Sequence, residues 1–182
     1  SPDTPVDFEG DEATFLVDHK GIDHEQARAM MDRVTDVAAG SGLAYRYDLL
    51  QHTNTVKAHE LLHFAKNKGR QLDMAERLMA AYFTEGKHVG RVDDLVALAA
   101  EIGLDADETR DALESGRYLA DVRSDQAQAQ AYGINGVPFF VIDGKYGVSG
   151  AQPAAAFAQI ARQVWAERGA AASESEAESV EA

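Results

Sequence analysis

The sequence predicts a mainly α-helical protein carrying one small β-hairpin. Two patterns predict it. Between residues 23 and 132, apolar residues recur three and four apart and the runs stop at glycines, as short amphipathic helices do. Residues 137–149 break that rhythm with two short β-prone runs joined by Asp143-Gly144.

Residues 1–22 read as a loop-rich opening segment anchored by Phe8, Phe15, Leu16 and Val17. Asp23, followed three residues later by Gln26, is a capping-box start. Ala27, Met30, Met31, Val34 and Ala38 then mark one helical face, which Gly40 and Gly42 end. Asn54 or Thr55 caps the next helix, through about Lys68. Another covers about 72–84, with Ala75, Leu78, Met79, Tyr82 and Phe83 as its apolar face. Val92, Leu95, Val96, Ala99 and Ile102 define a third, Asp105 with Glu108 opens a fourth, and a fifth runs from about Arg117 to Tyr132. Together 23–132 form a helical subdomain. Val137-Pro138-Phe139-Phe140-Val141-Ile142 and Tyr146-Gly147-Val148-Ser149 are the hairpin strands, because Asp-Gly favours a tight turn. Pro153 suits the first turn of a last helix, with Phe157, Ile160, Ala161, Val164 and Trp165 inward. Residues 133–168 thus make a ββα unit. Residues 169–182 hold four Glu and no Lys or Arg, and are expected to be a disordered acidic tail.

The 182 residues, 45% of them apolar, suit a soluble protein of one domain, or of one domain with an insertion. No apolar run approaches the roughly 18 residues that span a bilayer. A net charge of −14 repels phosphate backbones, which argues against nucleic-acid binding. With no cysteine, the chain holds neither disulfides nor thiolate metal sites. Asp93-Asp94 and Asp105-Asp107-Glu108 sit at helix starts, where they complement the dipole. His19, His24, His52 and His88 read as solvated surface.

Two segments carry candidate chemistry. His59-Glu60-Leu61-Leu62-His63 matches H-E-x-x-H, which on a helix sets two imidazoles on one face for zinc with a glutamate as base. The extended forms of that motif are not met: Lys66, Gly69 and Tyr82 stand where further ligands or glycine would fall. A zinc metalloprotease is therefore the weakest reading, and no metal site is expected. The second segment is Gly133-Ile134-Asn135-Gly136-Val137-Pro138, where a proline opens a strand. Proline cannot donate to a ladder, so it belongs at a strand's beginning or edge.

Gly-Ile-x-Gly-Val-Pro-x-Phe-Val-Ile, the hairpin, Gly147-Val148-Ser149-Gly150-Ala151-Gln152 and a last helix resemble the C-terminal half of DsbA-family oxidoreductases. The FrnE-like dithiol-disulfide isomerases are the subgroup most resembled, since Asn54-Thr55-Val56-Lys57-Ala58-His59 and Ala81-Tyr82-Phe83-Thr84-Glu85-Gly86 are similar to its inserted domain. The resemblance covers about residues 20–167. It implies an α/β thioredoxin-like fold interrupted by an all-α insertion, and thiol–disulfide exchange on protein or peptide thiols by a Cys-x-x-Cys pair at a helix N-terminus. It implies that Val137 and Pro138 contact substrate, that the Val137–Pro138 bond is cis, and that Asn54 and His59 line the same cleft. The family's Cys-x-x-Cys precedes the region matched. The first β-α-β unit and the nucleophile are thus expected upstream of Ser1, and the chain alone is expected to be redox-inactive. Without that unit, the hairpin edge is expected to associate with another copy or to lose order. No cofactor is expected. The alternatives are a glutathione-dependent kappa-class transferase or 2-hydroxychromene-2-carboxylate isomerase, with glutathione as co-substrate, and a non-catalytic binding module. No membrane partner is expected, and the absence of structural cysteines leans towards the cytoplasm.

Overall fold

A computed structural model describes residues 4–180, with side chains through residue 169. It is mostly helical and contains one antiparallel hairpin. The order is α1 (Glu12–Lys20), α2 (His24–Gly40), α3 (Val56–Asn67), α4 (Gln71–Phe83), α5 (Val92–Glu101), α6 (Ala106–Glu114), α7 (Leu119–Ala131), β1 (Phe139–Ile142), β2 (Tyr146–Ser149) and α8 (Ala154–Val180). The chain divides into two compact units, residues 1–126 and 127–182.

In the first unit the helix starts follow their cap chemistry. Asp11, Asp23 and Asp105 each accept a hydrogen bond from a backbone N–H three residues on, so each aspartate satisfies one orphan donor. Asn54 serves α3, its Oδ1 accepting from Val56 N at 2.9 Å. The main core joins α3, α4, α5 and α6 around Leu61, Phe64, Met74, Leu95, Leu98 and Leu113. A smaller cluster pairs α1 with α2 through Ala13, Leu16 and Ala27.

Three expectations change here. The opening segment is not only loop. It contains α1, whose contiguous Phe15-Leu16-Val17 hides any helical period. On α4, Met74, Leu78 and Ala81 take the core, while Met79 is 59% exposed. The apolar surface of that helix is wider than the face it gives the core, and the period alone could not choose which part is buried. His52 and His88 are not solvated surface; their side chains are 10% and 5% exposed.

In the second unit, Gly133 adopts a positive φ of 68° and closes α7, with Gly133 N bonding Gln130 O and Ile134 N bonding Ala129 O. β1 and β2 pair from Phe139↔Ser149 to Ile142↔Tyr146. The connection is therefore three residues, with Asp143 (φ 57°) and Gly144 (φ 66°) left-handed and Lys145 added. Val148 and Val164 are buried, and Phe140 meets Phe157 edge-on at 4.7 Å. Trp165, expected inward, is 80% exposed. α8 continues to Val180, across most of the residues expected to be a disordered acidic tail. Alanine and glutamate favour helix by their intrinsic propensity. Residues 181–182 of that tail lie outside the described residues.

Glu167 ties the hairpin to α8. It accepts from Lys145 Nζ at 3.0 Å, from Gln163 Nε2 at 3.1 Å and from the Tyr146 hydroxyl. These donors, Tyr146 first, hold its carboxyl down at about 2, against an ordinary 4.5. A depressed folded-state value means the tie is fully present above pH 4.5 and is lost as pH falls through about 2. NMR should show the Tyr146 and Lys145 resonances moving together across that window, and Glu167→Gln should remove the transition.

Candidate functional site

The loop from Gly133 to Pro138 is built by the end of α7 and the start of β1. Asn135 Nδ2 donates to Gly133 O at 3.1 Å, which holds the bend. The Val137–Pro138 bond is cis, and Gly150 N donates to Pro138 O at 2.9 Å, fixing the proline to the end of β2. Val137 is 91% exposed, and among the described residues neither its N–H nor its C=O has a hydrogen-bond partner. An exposed, unpaired donor and acceptor beside a pinned strand start can pair with an extended chain. The β1–β2 sheet has two strands among the described residues, so each strand has one unpaired edge.

Asn54 and His59 belong to the first unit. Asn54 Nδ2 donates to Thr4 O at 2.9 Å, and its backbone N donates to Pro5 O at 3.3 Å. Asn54 therefore fastens the chain's first segment as well as starting α3. His59 lies on the exposed side of α3, at the wall of an apolar groove of about 230 Å³ shared with α4. Leu62, Ala75, Met79, Tyr82 and Phe83 line the rest. Desolvation against that wall, then the nearby His63, lowers the His59 pKa, and Asp125 opposes the shift. Burial first, then Glu12, raises the Tyr82 phenol far above its usual value.

The H-E-x-x-H match does not assemble. Glu60 is fully buried, with Lys57 Nζ 3.0 Å from its Oε1. That lysine's hydrogen bond goes instead to Leu113 O, at 2.5 Å, at the end of α6. Among the described residues, neither carboxylate oxygen of Glu60 has a well-directed hydrogen-bond partner, so its contact with Lys57 is ionic. A base facing the core cannot activate a water held between His59 and His63. His63 Nε2 meets Asp125 Oδ2 at 3.0 Å, and no cluster of three potential metal ligands occurs among the described residues.

Sequence reasoning missed the histidines beneath the first segment. His52 stacks on Phe15 at 3.5 Å between ring centres, and its Nδ1 lies 2.8 Å from Glu12 Oε2. His88 Nδ1 accepts from Gly90 N and Arg91 N, so Nε2 is its donor, to Val6 O at 3.1 Å. Glu12, Phe15 and Val6 come from distant parts of the chain, so no local spacing signals that these two histidines are covered.

The family model for the DSBA-like thioredoxin domain matches residues 4–162. The chain belongs to that family. A probable DsbA oxidoreductase from Streptomyces coelicolor, solved by crystallography, is 40% identical and superposes with a TM-score of 0.83. That likeness covers 91% of this chain and 72% of the other. YwbO, an uncharacterised protein of Bacillus subtilis, is 38% identical over 94 residues. Those residues are 50% of this chain and 46% of YwbO, so the match spans less than half of that relative's length. The DsbA-like family is of thiol–disulfide oxidoreductase type, and its exchange reaction needs a thiolate. This DsbA-like chain contains no cysteine, so its 182 residues supply no thiolate. What they supply is helical scaffold and the exposed Val137–Pro138 loop.

Proposed function

We propose that this chain is the substrate-holding part of a FrnE-like dithiol-disulfide oxidoreductase or isomerase acting on protein thiols. The reacting cysteines come from residues outside these 182. The observation that carries the reading is Val137, 91% exposed with both backbone groups unpaired among the described residues, beside a proline whose carbonyl is held by Gly150. An extended polypeptide lying along it gains main-chain hydrogen bonds whatever its sequence, which suits an enzyme of broad protein substrates.

Insulin reduction by this chain with dithiothreitol is expected to run at the uncatalysed rate, because no thiolate is present. Turnover above that rate would remove the reading. A non-catalytic binding module is the second reading, favoured by the zero cysteine count. Mass spectrometry of the native gene product separates the two: a Cys-x-x-Cys in the same polypeptide supports the oxidoreductase, and its absence leaves the binding module.

A further inference from the structure

We propose that the groove between α3 and α4 is an anchoring subsite for one large apolar side chain of an unfolded polypeptide, flanked in that polypeptide by a basic residue. The proposal rests on the reading that this chain holds polypeptide, and adds where and what it grips.

The groove exists because the apolar surface of α4 is wider than the face it gives the core, with Leu78 and Tyr82 touching both. Met74, Leu78 and Ala81 face the core, which leaves Ala75, Met79, Tyr82 and Phe83 opposite His59 and Leu62 of α3. Met79, 59% exposed, forms the outer wall. Ligand pockets for whole small molecules run from about 300 Å³ upward. A groove of about 230 Å³ is the size of a side chain. Methionine is the flexible, polarisable residue that lets one wall fit Leu, Met, Phe or Trp alike.

Charge selects what lies beside the anchor. Among the described residues, no Lys or Arg lines the groove. One turn along α3 from His59, His63 Nε2 meets Asp125 Oδ2 at 3.0 Å, so a carboxylate stands beside the α3 wall of the groove. Asp125 is 69% exposed, so its contact with His63 leaves it open to a passing cation. The whole chain carries −14. A basic residue next to the apolar anchor is therefore attracted and an acidic one repelled.

The test uses 12-residue Gly/Ser peptides with a central Lys-Phe-Lys, titrated into the ¹⁵N-labelled chain. Groove amides, Leu62 and Met79 among them, are expected to shift. Replacing the peptide's Phe by Ala should weaken binding by about tenfold or more, the low end of what burying such a side chain contributes. Replacing Lys by Glu should weaken it at low salt, with the difference fading as salt rises. Met79→Glu and Ala75→Trp should each weaken the parent peptide by about tenfold, with thermal unfolding confirming that both variants fold. Parent-peptide affinity unchanged by Phe→Ala, or by both protein variants, overturns the proposal. So does absence of any groove shift. Sedimentation showing a dimer that Met79→Glu dissolves would make a second copy the occupant, and also overturns it. Groove shifts without a Val137 shift uphold the subsite while removing strand pairing at Val137; a Val137 shift alone does the reverse.

Discussion

Phe64→Ala is expected to destabilise the first unit by about 3–5 kcal/mol, the range for emptying a large aromatic from a packed core. Phe64 is 1% exposed and sits in the cluster that joins α3 to α4, α5 and α6. Its ring meets Tyr118 edge-on at 6.2 Å, and Lys68 Nζ lies 5.5 Å above it. The lost area, the cavity and the aromatic contact act in the same direction. Because α3 also carries His59, the groove wall should loosen with the core. Urea unfolding followed by far-UV circular dichroism measures the loss. A change under about 1 kcal/mol would mean that the core lies elsewhere.

Gly90→Ala is the second large effect, and it acts through space rather than dihedral preference. A Cβ at Gly90 would lie 2.1 Å from Thr53 Oγ1 and 2.8 Å from Asn54 O. Residues 53 and 54 hold the opening segment: Thr53 Oγ1 donates to Val6 O at 2.7 Å and Asn54 Nδ2 to Thr4 O at 2.9 Å. Neither side can yield without releasing these bonds. The cost is expected near 3 kcal/mol, the upper part of the usual range for overpacking. Amide exchange should rise first around residues 4–10 and 52–56. Adding Thr53→Ala should recover part of the loss only, since the Asn54 carbonyl remains in the way. Full stability in the single variant would show that the two segments do not touch.

Much of the fold was legible because it is written in local signals. Asp23 and Asp105 cap the helices they were expected to start, and Gly133 ends α7 with the left-handed turn its position suggested. Asp143-Gly144 marks the hairpin, though Lys145 lengthens the connection to three residues. What was not legible depends on packing at a distance. Which part of the apolar surface of α4 faces the core is decided by α3 and α5. Whether His52 and His88 are buried is decided by residues 6–15, more than thirty positions away. The helix α1 went unread because its apolar residues are contiguous, although Asp11 with Thr14 is a usable cap signal. Of the candidate site, the Val137–Pro138 loop could be found through the DsbA-family resemblance of the segments around it, since a proline opening an apolar run is by itself an ordinary loop-to-strand junction. The role of Asn54 as a fastener for Thr4 and Pro5 could not, since nothing near residue 54 in sequence announces those partners.

Val137 is where the functional reading is most exposed to test. The direct measurement is an NMR titration of the ¹⁵N-labelled chain with reduced, carboxymethylated ribonuclease A, an unfolded polypeptide that has no thiol to react. The Val137 amide is expected to shift and to exchange more slowly as the polypeptide is added, because its unpaired N–H gains a main-chain acceptor. A Val137 amide that neither shifts nor gains protection at saturating polypeptide would contradict the reading that this loop holds substrate.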